Sequence, residues 1–222
     1  MGDTAYIIGG RDSLNSALRE VWAYSISGDS WQQKNDLPIP LWRASATVLN
    51  DTAWLIFGRD SANSFRDELY YYQPSNDQWI LKNKFPGLGR SHANLLADQD
   101  HLYLSFGQDS LGQVYNDLWQ FSPAENLWSS ISNINANPRK GSMAISYQSK
   151  LYFCTGIDQN SNRLKEFWKF SLAINLNEFE GKTEKELLGI YDLYGREVHQ
   201  PKGEFVIFLY SDGNSEKCWI AE

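Results

Sequence analysis

The sequence predicts an all-β protein built from a repeated antiparallel unit, and three periodic observations support this fold class. Glycine recurs at Gly10, Gly58, Gly107 and Gly156, with spacings of 48, 49 and 49 residues. A carboxylate, followed two and four positions later by aromatic residues, recurs with the same period, and a second tryptophan follows in three units. Self-similarity at a period near 50 residues, with four short strands in each unit, is typical of the blades of a β-propeller.

Residues 44–84 show how four strands follow one another in one unit. Strand A is the small-residue segment ASATVLN (44–50), and strand B is the apolar run TAWLIFG (52–58), which ends at glycine. Strand C, ELYYYQ (68–73), alternates so that both repeated aromatics lie on one face. Strand D is QWILKN (78–83) and carries the second tryptophan. The unit is therefore predicted to be an A-B-C-D meander.

Residues that recur at the same position of successive units form what we call a column, and these columns are interpreted as scaffold. A catalytic group is needed once in a molecule, whereas a blade needs the same support in every copy. The aromatic columns are Trp22, Tyr70, Trp119 and Trp168 in strand C and Trp31, Trp79 and Trp128 in strand D; the acidic columns are Asp12, Asp60, Asp109 and Asp158 after strand B and Glu20, Glu68, Asp117 and Glu166 at strand C. The large aromatics are expected to cement neighbouring blades, and the loop aspartates to bond nearby N–H groups.

The blades are predicted near residues 4–36, 43–84, 90–130 and 139–175, followed by a small antiparallel β module at 176–222. Blade one begins at strand B, and blade four shows no strand D, which gives fourteen strands in the order B-C-D, A-B-C-D twice, and A-B-C. An incomplete or open propeller is therefore expected, with Met1 internal to a longer reading frame and with blades and a signal peptide upstream. The alternative is a four-bladed ring whose gap is filled by the tail.

Over about residues 4–175 the sequence resembles the kelch family of β-propellers, which includes galactose oxidase. The matching features are the glycine that ends strand B, the carboxylate-X-aromatic-X-aromatic pattern of strand C and the tryptophan of strand D. The first glycine of the family's pair is kept only at Gly9 and is replaced by Phe57, Phe106 and Thr155. The resemblance implies a propeller whose loops bind a ligand; some family members are carbohydrate-active enzymes, such as galactose oxidase or sialic acid mutarotases.

The candidate binding residues lie on one rim and in the channel, because the B–C and D–A loops of a meander emerge on the same face. His92 is unique to its blade and is expected where strand A opens the central channel. Arg43, Arg90 and Arg139 are aligned as one column that opens strand A. The candidates are Arg43, Arg90, Arg139, Asp60, Asp109, His92 and Lys140.

The tail resembles the C-terminal sorting domain of type IX secretion cargo in the Bacteroidetes. The matching segments are YDLYGRE (191–197), PKG (201–203), YSDG (210–213) and EK (216–217). The resemblance implies export to the extracellular space or outer cell surface, with the type IX machinery as a partner. Its sorting residues would be Asp192, Gly195, Arg196, Gly203, Asp212, Gly213 and Lys217. The alternative is that the tail caps the open end of the propeller.

Composition excludes several classes of function. With 20 basic and 27 acidic residues the net charge is −7, and no basic stripe indicates a nucleic-acid partner. The apolar run FVIFLY (205–210) is too short to span a membrane. Cys154 and Cys218 belong to no Cys/His cluster, and no two histidines share a local metal-ligand spacing, so no metal site is predicted. No nucleophile–base arrangement stands out, and no cofactor or catalytic residue is predicted.

The predicted function is a secreted or surface binding module that recognises protein or glycan through loops on one rim. The alternatives are a carbohydrate-active enzyme, of the mutarotase or galactose oxidase sort, and a purely structural surface module.

Overall fold

The computed structural model describes residues 2–172, 187–199, 201–202, 204–210 and 215–220. The chain divides into two compact units, Met1–Ile174 and Asn175–Glu222. The described residues form strands, turns and loops without a helix. None of the described segments therefore provides a helix long and apolar enough to cross a membrane.

The first unit contains sixteen strands among its described residues, which pair with antiparallel neighbours. In chain order they are β1 (Thr4–Arg11), β2 (Ala17–Ser25), β3 (Ser30–Lys34), β4 (Ser45–Leu49), β5 (Thr52–Ile56), β6 (Glu68–Gln73), β7 (Gln78–Lys84), β8 (Arg90–Ser91), β9 (Asn94–Asp98), β10 (His101–Ser105), β11 (Gln108–Asp109), β12 (Asp117–Ser122), β13 (Leu127–Asn133), β14 (Met143–Tyr147), β15 (Lys150–Cys154) and β16 (Phe167–Ser171).

These strands form four blades in the predicted order. Blade one is β1-β2-β3, blade two is β4-β5-β6-β7, blade three is β9-β10-β12-β13 and blade four is β14-β15-β16. The all-β propeller fold and its fourteen blade strands are thus confirmed. The short pair β8-β11 was not predicted; it joins the start of blade three to that blade's own B–C loop.

The glycine column is required by backbone geometry where strand B ends. Gly58 has a φ of +96°, and a Cβ there would lie 2.9 Å from the carbonyl oxygen of Trp42. A side chain at this position would therefore meet both backbone strain and a clash with fixed backbone. The preceding residue, Phe57, stands where the family has its first glycine; it also has a positive φ, of 65°, and its ring is fully buried in the core.

The core lies between the blades, where the aromatic columns pack. Trp128 packs against Phe85 of blade two and Phe121 of its own blade, with ring centroids 5.4 and 4.9 Å apart. Trp79 packs against Tyr72 at 5.1 Å within the apolar cluster that joins blades one and two. Trp79 and Trp128 therefore face the preceding blade.

The propeller is open, and its two terminal faces are exposed. Trp31 occupies the same column as Trp79 but is 54% exposed. On the opposite terminal face, Ile145 and Phe167 are 62% and 70% exposed. The corresponding residues of blade three, Leu96 and Leu118, are buried against blade four. The same columns are therefore buried or exposed according to whether a neighbouring blade covers them.

The second unit contains one antiparallel sheet of three strands among its described residues: β17 (Leu187–Asp192), β18 (Glu204–Tyr210) and β19 (Ser215–Ile220). Asp192 accepts hydrogen bonds from the N–H groups of Tyr194 and Arg196. These bonds, led by the one from Arg196, lower the pKa of Asp192. Of the predicted sorting residues, Gly203, Asp212 and Gly213 lie outside the described residues, and Lys217 lies on β19.

Candidate functional site

The loop aspartates are used by their own loops. One carboxylate oxygen of Asp60 accepts from the N–H groups of Ala62 and Ser64, both at 2.9 Å. The same pattern, with N–H donors two and four residues on, recurs at Asp12, Asp109 and Asp158. The second oxygen of Asp60 contacts Arg66 at 3.3 Å. Asp60 and Asp109 therefore hold the B–C loops in shape, which answers why an aspartate stands in every blade.

Arg90 and Arg139 are also structural. Arg90 is 3% exposed and donates to both carboxylate oxygens of Asp117 and to the carbonyl oxygen of Phe106. Arg139 is fully buried and donates to one carboxylate oxygen of Glu166 and to the carbonyl oxygen of Thr155. The Trp168 indole and Arg139 both donate to Glu166 and lower its pKa. Each arginine thus anchors strand C of its blade instead of facing a ligand.

Arg43 does not occupy a position equivalent to those of Arg90 and Arg139, so the predicted alignment of the three arginines was wrong for Arg43. The N–H of Gly58 donates to the carbonyl of Arg90, and that of Gly107 donates to the carbonyl of Arg139. The equivalent bond from Gly10 goes to Leu41, at 2.8 Å. Leu41 therefore occupies the column, at the same interval of 49 residues, and Arg43 lies two residues further along the chain.

Arg43 instead lies in a ring of residues at the start of the innermost strands. The carbonyl of Arg43 accepts from the N–H of His92 at 3.2 Å, and the carbonyl of His92 accepts from Gly141 at 2.9 Å. All three residues have positive φ angles, between 57° and 64°. One residue from each of blades two, three and four is thereby brought to the inner edge of the propeller, on the rim of the B–C loops.

Four cations gather at this inner edge, and we call them the basic cluster: Arg11, Arg43, Arg59 and Lys140. The guanidinium carbons of Arg11 and Arg43 lie 4.0 and 4.2 Å from the ring centroid of Trp42, and that of Arg59 lies 5.5 Å away. Lys140 donates to the side-chain oxygen of Gln108 at 2.8 Å. The cluster therefore combines residues from blades one, two and four, and its three arginines surround one buried indole.

The basic cluster lacks a counter-charge within the described residues. None of its four cations forms an ion pair with a described carboxylate within 4.0 Å. The guanidinium carbons of Arg11 and Arg43 are no more than about 8 Å apart, since both lie against the Trp42 ring. Two like charges at that distance repel by roughly 0.5–2 kcal/mol, depending on the local dielectric.

The pKa values of Arg43, Arg59 and His92 are lowered first by burial and then by neighbouring cations. Burial and the neighbouring Arg11 lower the pKa of Arg43, and burial, Arg43 and Arg11 lower that of Arg59. Burial is also the largest cause for His92, whose pKa falls to about 4 with further contributions from Arg43, Lys140 and Arg59. His92 is therefore a neutral imidazole at pH 7.

Of the seven predicted site residues, the structure brings Arg43, His92 and Lys140 together at the basic cluster. Sequence reasoning missed Arg11, Arg59 and the Trp42 ring between them. A signal existed: Arg11 and Arg59 each follow a column glycine directly, where blades three and four have Gln108 and Ile157. A cleft of about 190 Å³ lies beside the cluster, lined by residues that include Tyr6, Ile8, Trp42, Arg43 and Leu55.

The described residues include no group of three or more histidine, cysteine, aspartate or glutamate side chains placed to hold a metal ion. Cys154 is a free, half-buried thiol on the exposed face of blade four.

Comparisons with known proteins agree with the fold. A family model for the KLHDC2/KLHL20/DRC7 Kelch-repeats domain matches residues 1–156. Among solved structures, that of YjhT superimposes with a TM-score of 0.68 and 14% sequence identity, covering 98% of this chain and 81% of that chain. At this identity the likeness extends to the fold alone. A search of curated proteins finds no match.

Proposed function

The chain belongs to the kelch-repeat family, and from this premise we propose that it is a binding module whose ligand contacts the rim of the B–C loops around the basic cluster. One observation carries the proposal. The residues common to the blades make scaffold contacts, whereas residues that break the repeat, namely Arg43, His92 and Lys140, meet at one place. A ligand that spans several blades needs such convergence, because each blade contributes only one or two side chains.

The rim also has the general character of a recognition surface. Its B–C loops are fixed by their aspartates, so the polar groups that they carry are presented in one arrangement. Leu14 and Leu111, at equivalent loop tips, are 83% and 82% exposed. Rigid loops with both apolar and charged groups suit a protein or glycan ligand.

We expect a glycan and soluble-protein binding screen on the full chain to yield a ligand that covers this rim. Amide hydrogen exchange in the presence of that ligand is expected to slow in the B–C loops (60–66 and 109–115) and at the strand-A starts (42–43, 91–92 and 140–141). The A–B turns at Asn50–Asp51 and Gln99–Asp100, which lie at the opposite ends of these strands, serve as the internal control. Protection confined to the A–B turns would contradict the proposal.

A second candidate is a carbohydrate-active enzyme, such as a sialic acid mutarotase, and one observation favours it. The neutral imidazole of His92 lies beside several cations, and a group that exchanges a proton next to a bound sugar is the minimum for ring opening or epimerisation. Ligands from the screen are therefore followed by NMR for interconversion of their anomers. Turnover that is lost in His92→Asn would favour the enzyme over the binding module.

We further propose that the second unit is the sorting signal of an exported protein. The resemblance of residues 191–217 to type IX sorting domains supports this, as does their separation from the propeller as a compact unit. Deleting residues 182–222 is expected to leave the propeller folded and to stop export from a native host. Fractionation of host cells measures export, and the far-UV spectrum of the truncated protein checks folding. Unchanged secretion of the truncated chain would refute the proposal.

A further inference from the structure

Resting on the proposed function, we infer that the ligand presents an oxyanion, such as a carboxylate, to the basic cluster. The proposed function requires only that a ligand cover the rim. The additional claim concerns the charge of the ligand and the side chains that receive it.

The first support is the contrast with three arginines that serve the scaffold. Arg66, Arg90 and Arg139 are each paired with a carboxylate of their own blade, at Glu68, Asp117 and Glu166. The fold thus supplies a counter-charge where an arginine serves the scaffold. At the basic cluster the described residues supply none, although the cations already disfavour one another. An anion from outside would relieve this repulsion.

The second support is the way in which the guanidinium groups are held. Arg11 and Arg43 lie over the Trp42 ring, and Arg59 lies 4.1 Å from the centroid of Phe65. Stacking uses the flat face of a guanidinium and leaves its N–H edge for acceptors.

Arg43 is exposed, and its guanidinium forms no hydrogen bond with a described residue. The buried Nε of Arg59 also lacks an acceptor among the described residues. Arg11 donates through its Nε to Asn15 and Arg59 through one terminal nitrogen to Asn63, so each keeps further N–H groups for a ligand. Planar forks of this kind match the two oxygens of a carboxylate.

The third support is the position of His92, which provides a reporter. The charged groups that face it are Arg43, Arg59 and Lys140. An anion bound among them would favour the imidazolium and raise the pKa of His92. By linkage, the anion would then bind more tightly as the pH falls.

The experiment titrates the full chain with sodium glucuronate and follows the ring nitrogens of His92 by NMR. D-glucose is the neutral counterpart of the probe, and sodium chloride at equal ionic strength controls for screening. Sodium sulfate shows whether the site takes a carboxylate only or oxyanions in general. We expect a saturable shift and a raised pKa for His92 with glucuronate, and neither with glucose or chloride. His101 and His199 should not respond.

The matched variants remove charge without touching the scaffold. Arg43→Gln with Lys140→Gln is expected to weaken glucuronate binding at least about tenfold. Arg163→Gln, which removes an exposed charge from the B–C loop of blade four outside the cluster, should leave binding unchanged. Equal responses to glucuronate and glucose, no saturable response to either oxyanion, or unchanged binding in the double variant would each overturn the inference. If a ligand from the screen still protects the rim in the double variant, the inference fails while the proposed function stands.

Discussion

Replacing Trp79 by alanine is expected to lower the free energy of unfolding by about 3–5 kcal/mol. The side chain is 8% exposed and packs against Tyr72 inside the apolar cluster between blades one and two. Its indole N–H is buried without a hydrogen-bond partner among the described residues, so the loss is one of packing and apolar burial. Urea unfolding, followed by tryptophan fluorescence and checked by circular dichroism, measures the change in midpoint.

The fold supplies its own control for this prediction in Trp31. Trp31 lies in the same column of blade one, but it is more than half exposed because no blade precedes it in the structure. Trp31→Ala removes the same atoms from the same type of strand and is expected to cost about 1 kcal/mol or less. Equal midpoint shifts in the two variants would mean that the column acts within each blade and does not cement neighbouring blades.

Replacing Glu166 by glutamine is expected to cost about 3 kcal/mol, because the fully buried Arg139 would lose its counter-charge. The carbonyl oxygens of Asn137 and Thr155 would still accept from Arg139, but they carry no charge to balance it. Glutamine keeps the size of the side chain, so the change isolates the charge of the pair. Denaturant midpoints of the two proteins at pH 7 measure the difference.

The matched control is Glu20→Gln, in the same column of blade one. Glu20 is exposed and accepts a hydrogen bond from the indole of Trp22, and it forms no ion pair with a described residue. Its replacement is expected to cost about 0.5 kcal/mol or less. A cost for Glu20→Gln as large as that for Glu166→Gln would show that the carboxylate column acts through the indole and not through arginine.

The pH dependence of the Glu166 variant follows from the lowered pKa of that carboxylate. Its stabilising contribution is fully present above the ordinary pKa of a glutamate, because the group is ionised in both the folded and the unfolded states there. The contribution is lost as the pH falls through the lowered pKa of the folded state. The difference in midpoint between the wild-type protein and Glu166→Gln is therefore expected to shrink in acid.

The sequence by itself determined the strands, their order and the scaffold columns. The glycine at Gly58, the loop aspartate at Asp60 and the alternating aromatics of strand C act within a few residues of their own position. Their roles can therefore be inferred from the sequence pattern: the glycine allows a left-handed turn, the aspartate accepts bonds from its loop, and the aromatics form a buried face. Because four copies repeat these local signals, the propeller could be predicted without coordinates.

Only the tertiary structure decided which polar side chains share a site. Arg43 was aligned with Arg90 by residue type, whereas the backbone bonds place Leu41 there. Arg11 and Arg59 are 48 residues apart, yet both lie against the ring of Trp42, because successive blades turn around a common axis and bring equivalent positions together at its inner edge. The side chains of this cluster come together because each blade is rotated relative to the one before it. Packing between the sheets sets this rotation, and the sequence pattern of a single strand does not reveal it.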